Sequence, residues 1–273
     1  MTDSHLDDEL EQGYLAESRE LLANVESELL AIEHSGVEID EQAVNRVFRA
    51  AHSIKSGAGF FDLIAIRDLA QKIETTLDLI RSRQMVPSHE VVDILLLSFR
   101  KVRELIRQYR ESDHMDIAEL TKALTGLIVA RLPLEERPLY EARVDVTVPQ
   151  AGPHVEASAY DLLLARRGGK YIYLIRYDLI RDIQRQGRTP WEVFKTLIES
   201  GTILETVLDL HSAGTLDDPP SNQLPLVVLY ATALDPDEIG RLIDLPAERV
   251  VLVEGNRGAR PRVRPFAEPP VVQ

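Results

Sequence analysis

Hydrophobic residues recur at the spacing of an α-helix throughout the first 130 residues. The pattern predicts a first helix over residues 7–34, which Gly36 ends, and further helices centred on four later stripes. These stripes cover residues 44–58, 63–80, 91–106 and 117–129. Short connections between long helices place neighbours antiparallel. The first half therefore predicts an up-and-down bundle of four or five helices.

Proline use divides the chain near residue 130. Only Pro87 lies before that point, and 14 of the 15 prolines lie after it. We therefore predict a helical domain over residues 1–130 and a flexible, proline-containing linker, in which some residues can be ordered, over residues 131–158. A second domain follows over residues 159–254. The last segment, residues 255–273, is rich in proline and arginine and is predicted to be disordered.

The second domain alternates between strand and helix patterns. Asp161–Ala165 and Lys170–Tyr177 flank an Arg-Arg-Gly-Gly turn and predict a hairpin. The remaining segments predict helices over residues 179–185, 190–200 and 235–243 and strands over residues 203–210, 224–233 and 249–254. The order β-α-β-β-α-β predicts a ferredoxin-like α+β domain. The whole chain is thus expected to be multidomain, α followed by α+β.

Composition narrows the classes of function. The chain has 31 Lys+Arg against 45 Asp+Glu, a formal net charge of −14, and no cysteine. Such an acidic protein is unsuited to nucleic acid and anionic membranes, and the missing thiols exclude disulfides and thiolate metal sites. The longest apolar runs are far too short to insert into a membrane. We therefore expect a cytoplasmic protein without bound nucleic acid.

Candidate chemistry is concentrated around one histidine. No motif for a metal site, nucleotide loop or hydrolase nucleophile is present in the sequence, so we predict no metal and no cofactor in this chain. His52 lies about a third of a turn from the apolar stripe of its helix, which predicts a ring at the edge of the bundle. Lys55 follows one turn later. Gly57 and Gly59 then interrupt a helical pattern, either because the surface of another protein approaches there or because the helix ends.

Glu74 on the next helix is a predicted partner for His52. If the second and third helices form an antiparallel hairpin, residues 52 and 74 lie level with each other on either side of the turn near residue 63. A carboxylate there accepts the Nδ1–H bond and leaves Nε2 as a nucleophile, while Lys55 can neutralise an arriving phosphoryl group. A histidine at the edge of a bundle can equally be structurally inert, and geometry alone leaves both interpretations open.

Residues 51–59 (AHSIKSGAG) resemble the phosphoacceptor segment of histidine phosphotransfer (HPt) domains of the CheA chemotaxis-kinase type, where the pattern is AHSIKGGAG. Residues 73–78 (IETTLD) resemble the acidic motif of the family's third helix. Two positions depart from the pattern. The first glycine is Ser56 here, and a second histidine that these kinases often carry is replaced by Gln71.

The resemblance implies a role for each matching residue. His52 is expected to be the phosphorylated histidine, with Lys55 and Glu74 as its charged and orienting partners. Ser56, Gly57 and Gly59 correspond to the small residues where a response-regulator receiver domain approaches, and the Gln71 amide is a possible auxiliary hydrogen-bonding group. The expected partners are a receiver, which supplies Mg²⁺ and an acidic pocket, and a histidine kinase.

Two functional hypotheses follow. In the leading one, His52 relays a phosphoryl group between a kinase or receiver aspartate and a receiver. The sequence has no ATP-binding motifs of a kinase, so we expect either a separate phosphotransfer protein or the N-terminal part of a longer CheA-like kinase, and assign no catalytic activity of its own. The second domain resembles, in layout, a module that docks response regulators. The alternative is a non-catalytic adaptor that binds signalling proteins; a metabolic enzyme has no residue constellation to support it.

Overall fold

The computed structural model describes residues 3–36, 38–146, 155–208 and 224–254. The helical region consists of six helices: α1 (Asp3–Leu21), α2 (Val25–Ser35), α3 (Glu41–Phe60), α4 (Ile64–Arg81), α5 (His89–Arg107) and α6 (Ala118–Arg131). The predicted helical region is confirmed. The first predicted helix is wrong in one respect, because it is broken into α1 and α2 at residues 22–24. The apolar spacing continues across the break, so the pattern alone does not reveal it.

The hairpin of α3 and α4 carries the candidate chemistry. Asp40 caps α3 by accepting hydrogen bonds from the backbone N–H groups of Gln42 and Ala43. The two helices are the most extensively packed pair in the helical region and meet through a short turn at residues 61–63. One stripe of α3 lies in the hydrophobic core shared with α1, α2, α4, α5 and α6. Burial of this apolar stripe fixes which way the opposite face of α3 points.

The predicted linker is folded where the structure describes it, so the prediction of a flexible connection is wrong for those residues. It contains a short helix, α7 (Arg137–Glu141), and strands β1 (Arg143–Val146) and β2 (Val155–Ser158), which pair antiparallel. Tyr140 of α7 packs edge-on against Tyr160, and Lys72 of α4 lies over the Tyr140 ring at 5.2 Å. The segment is thus held against the helical region by aromatic and cation–π contacts.

The second domain has the predicted order of elements. It comprises β3 (Tyr171–Asp178), α9 (Pro190–Ser200), β4 (Thr202–Leu208), β5 (Pro225–Thr232), α10 (Pro236–Ile243) and β6 (Val250–Glu254). The four strands form one antiparallel sheet in the order β4-β5-β3-β6. The prediction of an α region followed by an α+β region with the order β-α-β-β-α-β is therefore confirmed. The predicted disordered tail lies outside the described residues.

One predicted strand is wrong. Asp161–Ala165 lies within a helix, α8 (Ala159–Arg167), rather than in a hairpin with β3. Ser158 begins this helix by accepting a hydrogen bond from the backbone N–H of Asp161. Four apolar residues follow Asp161 there, and so short a run cannot distinguish a strand from a buried helix.

The sheet is covered on both faces. Alternate residues of β3 point to opposite sides, with Tyr173, Ile175 and Tyr177 packed in a core that includes residues of α9 and α10. Ile172 and Leu174 face α8 and the β1–β2 hairpin. The helix predicted over residues 179–185 is present as a π-helical turn at Leu179–Ile183 followed by a 3₁₀ turn at Gln184–Gln186.

The two domains pack directly against each other. β4 and α9 contact α3, and α9 also contacts α1. Apolar side chains from both domains interlock at one end of this contact, where Phe60 lies 4.8 Å from Phe194 and Tyr14 lies 5.8 Å from Trp191 between ring centroids. The Trp191 indole N–H donates a 2.7 Å hydrogen bond to Glu17. This contact places the second domain on the face of α3 that carries His52.

Candidate functional site

His52 and Glu74 meet as the hairpin geometry predicts. The His52 Nδ1 atom lies 2.9 Å from Glu74 Oε1, and the Lys55 Nζ atom lies 2.7 Å from Glu74 Oε2. One carboxylate therefore joins the imidazole and the ammonium. With the ring neutral, Nδ1–H donates to Glu74, and the lone pair of Nε2 is available for reaction.

The ring is also held from its flat side. Phe48, one turn before His52 on α3, stacks parallel to the imidazole with 6.2 Å between ring centroids. The Arg81 guanidinium lies over the Phe48 ring, 4.3 Å from its centroid. Stacking and the Glu74 bond together fix both the plane and the rotation of the imidazole.

The charges of the site are strongly coupled. Burial acts to raise the pKa of Glu74, but Lys55 and His52 outweigh it and hold that pKa at about 2. Burial acts to lower the pKa of Lys55, and Glu74 together with Asp161 outweighs it, so the pKa of the ammonium is raised. Glu74 is thus ionised and Lys55 charged at neutral pH. The site offers a nucleophile beside a fixed ion pair.

The prediction that His52 lies exposed at the edge of the bundle is wrong. Its relative exposure is 4%, and Nε2 is buried without a hydrogen-bond partner. His52, Lys55, Ser56 and Gly59 follow each other at positions i, i+3, i+4 and i+7, so they share one face of α3. At Lys55, Ser56 and Gly59 that face lies opposite α8 and β4 of the second domain, a contact that sequence periodicity within one helix cannot reveal.

Both glycines are explained by close contacts within this chain. A Cβ atom at Gly57 would lie 2.3 Å from the Tyr14 ring and 3.2 Å from Trp191. A Cβ atom at Gly59 would lie 3.1 Å from Thr206 Oγ1 of β4. Helix α3 continues through both residues to Phe60, so the interpretation as a helix cap is wrong. The surfaces that approach are α1 and the second domain.

The two remaining predicted site residues, Ser56 and Gln71, lie near His52 but are not bonded to its imidazole. Ser56 is buried, and its Oγ has no hydrogen-bond partner. The Gln71 amide donates to both carboxylate oxygens of Asp161, at 3.1 and 3.2 Å, rather than to His52. Gln71 is therefore part of the contact between the domains, not of the histidine's own hydrogen bonds.

Sequence reasoning missed Asp161. Burial raises the pKa of this carboxyl to about 6, with Glu74 and Glu205 acting in the same direction and Lys55 and Arg143 acting against them. A cavity of about 230 Å³ lies between Phe48, Lys55 and Glu74 on one side and α8 and β4 on the other. No short motif marks Asp161, because it reaches the site only through the packing of the two domains.

Within the described ranges, no helix is long and apolar enough to cross a membrane. In the same part of the chain, no group of three or more His, Asp or Glu side chains is arranged to hold a metal ion.

Comparison with known proteins assigns the helical region. Residues 9–112 match the model of the Hpt domain family. The chain is 37% identical over 128 residues to the chemotaxis protein CheA of Rhizobium meliloti, a match that covers 46% of this chain and 17% of the relative. It is 32% identical over 107 residues to CheA of Salmonella typhimurium, covering 39% of this chain and 16% of the relative.

A longer match reaches beyond the helical region. The chain is 31% identical over 235 residues to the chemotaxis protein CheA of Treponema pallidum, which covers 75% of this chain and 28% of the relative. Three quarters of the chain is more than the helical region contains, so this similarity includes part of the second domain. The chain spans less than a third of the length of each of these relatives. Given the family match and the His52–Glu74 geometry, residues 9–112 are an Hpt domain.

Proposed function

We propose that this chain is a histidine phosphotransfer protein in which Nε2 of His52 carries the phosphoryl group. The observation that carries the proposal is the 2.9 Å bond between His52 Nδ1 and Glu74, which leaves Nε2 as the free nucleophile of an oriented ring. The Hpt match and the CheA relatives support the same function. The cytoplasmic location expected from the sequence stays a prediction.

The proposed transfer is a single displacement at phosphorus. Nε2 attacks the phosphorus of an aspartyl phosphate on a receiver, the N–P bond forms, the acyl P–O bond breaks, and the aspartate carboxylate leaves. Nδ1 keeps its proton, and the positive charge that develops on the ring is stabilised by Glu74. Lys55 neutralises charge on the arriving phosphoryl group, and the reverse displacement passes the group to another receiver. Mg²⁺ belongs to the receiver in this scheme.

Transfer from a phosphorylated receiver tests the proposal. A receiver labelled with ³²P is mixed with the wild type, with His52→Gln and with His89→Gln as a matched control. His89 is an exposed imidazole paired with Glu33, so its loss should not affect labelling. We expect acid-labile label on the wild type and on His89→Gln and none on His52→Gln. Equal labelling of His52→Gln would overturn the assignment of His52.

The second domain is proposed to bind the receiver. Its layout and the length of the Treponema pallidum match support this role. The folded connection over residues 137–146 and 155–158 changes how recruitment would act, because a fixed contact does not provide the effective concentration of a flexible tether.

The alternative, a non-catalytic adaptor, is favoured by one observation, the burial of Nε2.

A further inference from the structure

The second domain lies over the residues that surround His52, because Phe48, Lys55 and Glu74 face α8 and β4 across a cavity. Nε2 of His52 is buried and has no partner, so a tetrahedral phosphoryl group cannot be attached there while the surrounding atoms keep their places. A receiver must also reach Nε2 for transfer to occur. The arrangement described above is therefore a closed form in which the proposed reaction is blocked.

The contact that closes the site is unlike a permanent core. A cavity of about 550 Å³ lies between α3 and α4 on one side and β4, α8 and the β1 region on the other. Ser56 Oγ and Thr206 Oγ1, both buried in this contact, have no hydrogen-bond partner. A polar, incompletely packed contact with unpartnered groups is less stable than a filled apolar one.

Charge also opposes the closed form once the histidine is modified. A phosphoryl group brings about two negative charges to the face of α3. Asp161 and Glu205 of the second domain lie near Lys55 on that face, and the Lys55 ammonium is already paired with the Glu74 carboxylate. In the closed form the new charge therefore lies near Asp161 and Glu205, and Lys55, which is already paired with Glu74, offsets only part of it, so repulsion adds to the steric conflict.

We propose that the second domain is an autoinhibitory cover of the phosphoacceptor site, that the domains must separate before His52 can react, and that phosphorylated His52 holds them apart. This inference rests on the proposed function for its final step. Because the coupling is reciprocal, whatever pulls the second domain away favours phosphorylation to the same extent that phosphorylation favours separation. A receiver that binds the second domain would thereby expose His52, the residue to which the receiver transfers its phosphoryl group.

The accessibility of His52 can be measured without any phosphotransfer. Diethyl pyrocarbonate acylates unprotonated imidazole nitrogens, and peptide mass spectrometry resolves the rate at each histidine. In the wild type we expect His52 to react at least about tenfold more slowly than His89, whose side chain is 79% exposed. Trp191→Ala removes the contacts with Tyr14 and Glu17 and should accelerate labelling of His52 several-fold. Ile243→Ala, a loss inside the second domain, is the matched control. Equal rates at His52 and His89 in the wild type would overturn the inference.

A reversible lock tests whether separation is needed for transfer. The chain has no cysteine, and the 3.1 Å between a Cβ at Gly59 and Thr206 Oγ1 suits a disulfide between the two positions. In the double variant Gly59→Cys, Thr206→Cys, the oxidised form should accept label from a phosphorylated receiver at least about tenfold more slowly than the same protein after reduction. Equal rates in the two forms would refute the cover.

The two experiments separate failure of the inference from failure of the proposed function. In one outcome, His52 of the Trp191→Ala variant reacts faster with diethyl pyrocarbonate but the variant accepts no phosphoryl group from the receiver. The proposed phosphotransfer function is then wrong, and the inference that the second domain covers His52 is supported. If the locked form transfers as fast as the reduced form, the cover is wrong and phosphotransfer stands. Trp191 is the only tryptophan, so a red shift of its emission on phosphorylation of the wild type, absent in His52→Gln, provides an independent check.

Discussion

The two faces of α3 are both buried, but they differ in physical character. One face presents Val44, Val47, Ala51, Ile54 and Ala58 to the helical core, and the exposure of each is at most 1%. The other face presents His52, Lys55, Ser56 and Gly59 to the second domain, across cavities and unpartnered polar atoms.

Burial alone therefore does not distinguish a permanent core from a separable contact. What distinguishes them is how completely the buried groups are packed and paired. The first face determines whether the Hpt domain folds, and the second determines whether His52 can react. Variants on either side of this division should have different effects.

The core should be the most sensitive region to truncation. Phe99 of α5 is 1% exposed, and Phe99→Ala should lower the free energy of unfolding by about 3–5 kcal/mol, because it leaves a cavity among packed side chains. Urea denaturation followed by circular dichroism measures this loss. Leu97→Ala on the same helix removes an exposed side chain and should change the stability by less than about 0.5 kcal/mol. Equal losses for the two variants would contradict the packing described for α5.

Acid should weaken the structure through Glu74. Burial acts to raise the pKa of this carboxyl, but Lys55 and His52 hold it at about 2, below its ordinary value of 4.5. The resulting stability is complete above pH 4.5 and is lost as the pH falls toward 2, because the unfolded chain then binds the proton first. We expect a loss of about 3 kcal/mol across this range. In Glu74→Gln, the unfolding free energy at neutral pH should be lower and its acid dependence smaller; an unchanged acid slope would exclude Glu74 as its source.

The division between the two faces also explains what the sequence could reveal. The apolar stripes predict the helices, and the antiparallel turn near residue 63 correctly places Glu74 beside His52, because both depend on local geometry within one hairpin. The burial of His52 depends on β4 and α8, more than 100 residues away. Spacing within α3 contains no information about that contact.

Two further errors have the same origin. The four apolar residues that follow Asp161 and the prolines of residues 131–158 are ambiguous signals until neighbouring elements select a conformation. Tyr140 and Tyr160 make that selection by packing against each other beside α4. The amide of Gln71 likewise turns to Asp161 because that carboxylate is brought within reach by α8.

Asp161 should make the contact between the domains sensitive to pH. Burial raises the pKa of its carboxyl to about 6 from an ordinary value near 3.8. Glu74 and Glu205 act in the same direction, whereas Lys55 and Arg143 oppose them, and Gln71 donates a hydrogen bond. Because the closed form holds the proton more tightly than the separated form, closure is strongest at low pH and weakens as the pH rises from 3.8 through 6.

Quenching of Trp191 fluorescence by acrylamide measures this dependence. In the wild type we expect quenching to increase several-fold between pH 5 and pH 7.5. In Asp161→Asn the side chain still accepts from Gln71 but cannot ionise, so quenching should be low and nearly constant over that range. If the variant and the wild type follow the same curve, another group controls the contact.

The smallest effect is expected at the rim of the contact. Arg67 and Glu205 approach to 3.9 Å at a site where the Arg67 side chain is 27% exposed, so solvent and salt screen their attraction. Arg67→Ala should shift the balance between closed and separated forms by less than about 1 kcal/mol, and 0.5 M salt should reduce the difference further. The same diethyl pyrocarbonate assay measures it, with Trp191→Ala as the strong reference. A larger effect from Arg67 than from Trp191 would mean that charge at the rim, rather than the apolar end around Tyr14 and Phe60, holds the domains together.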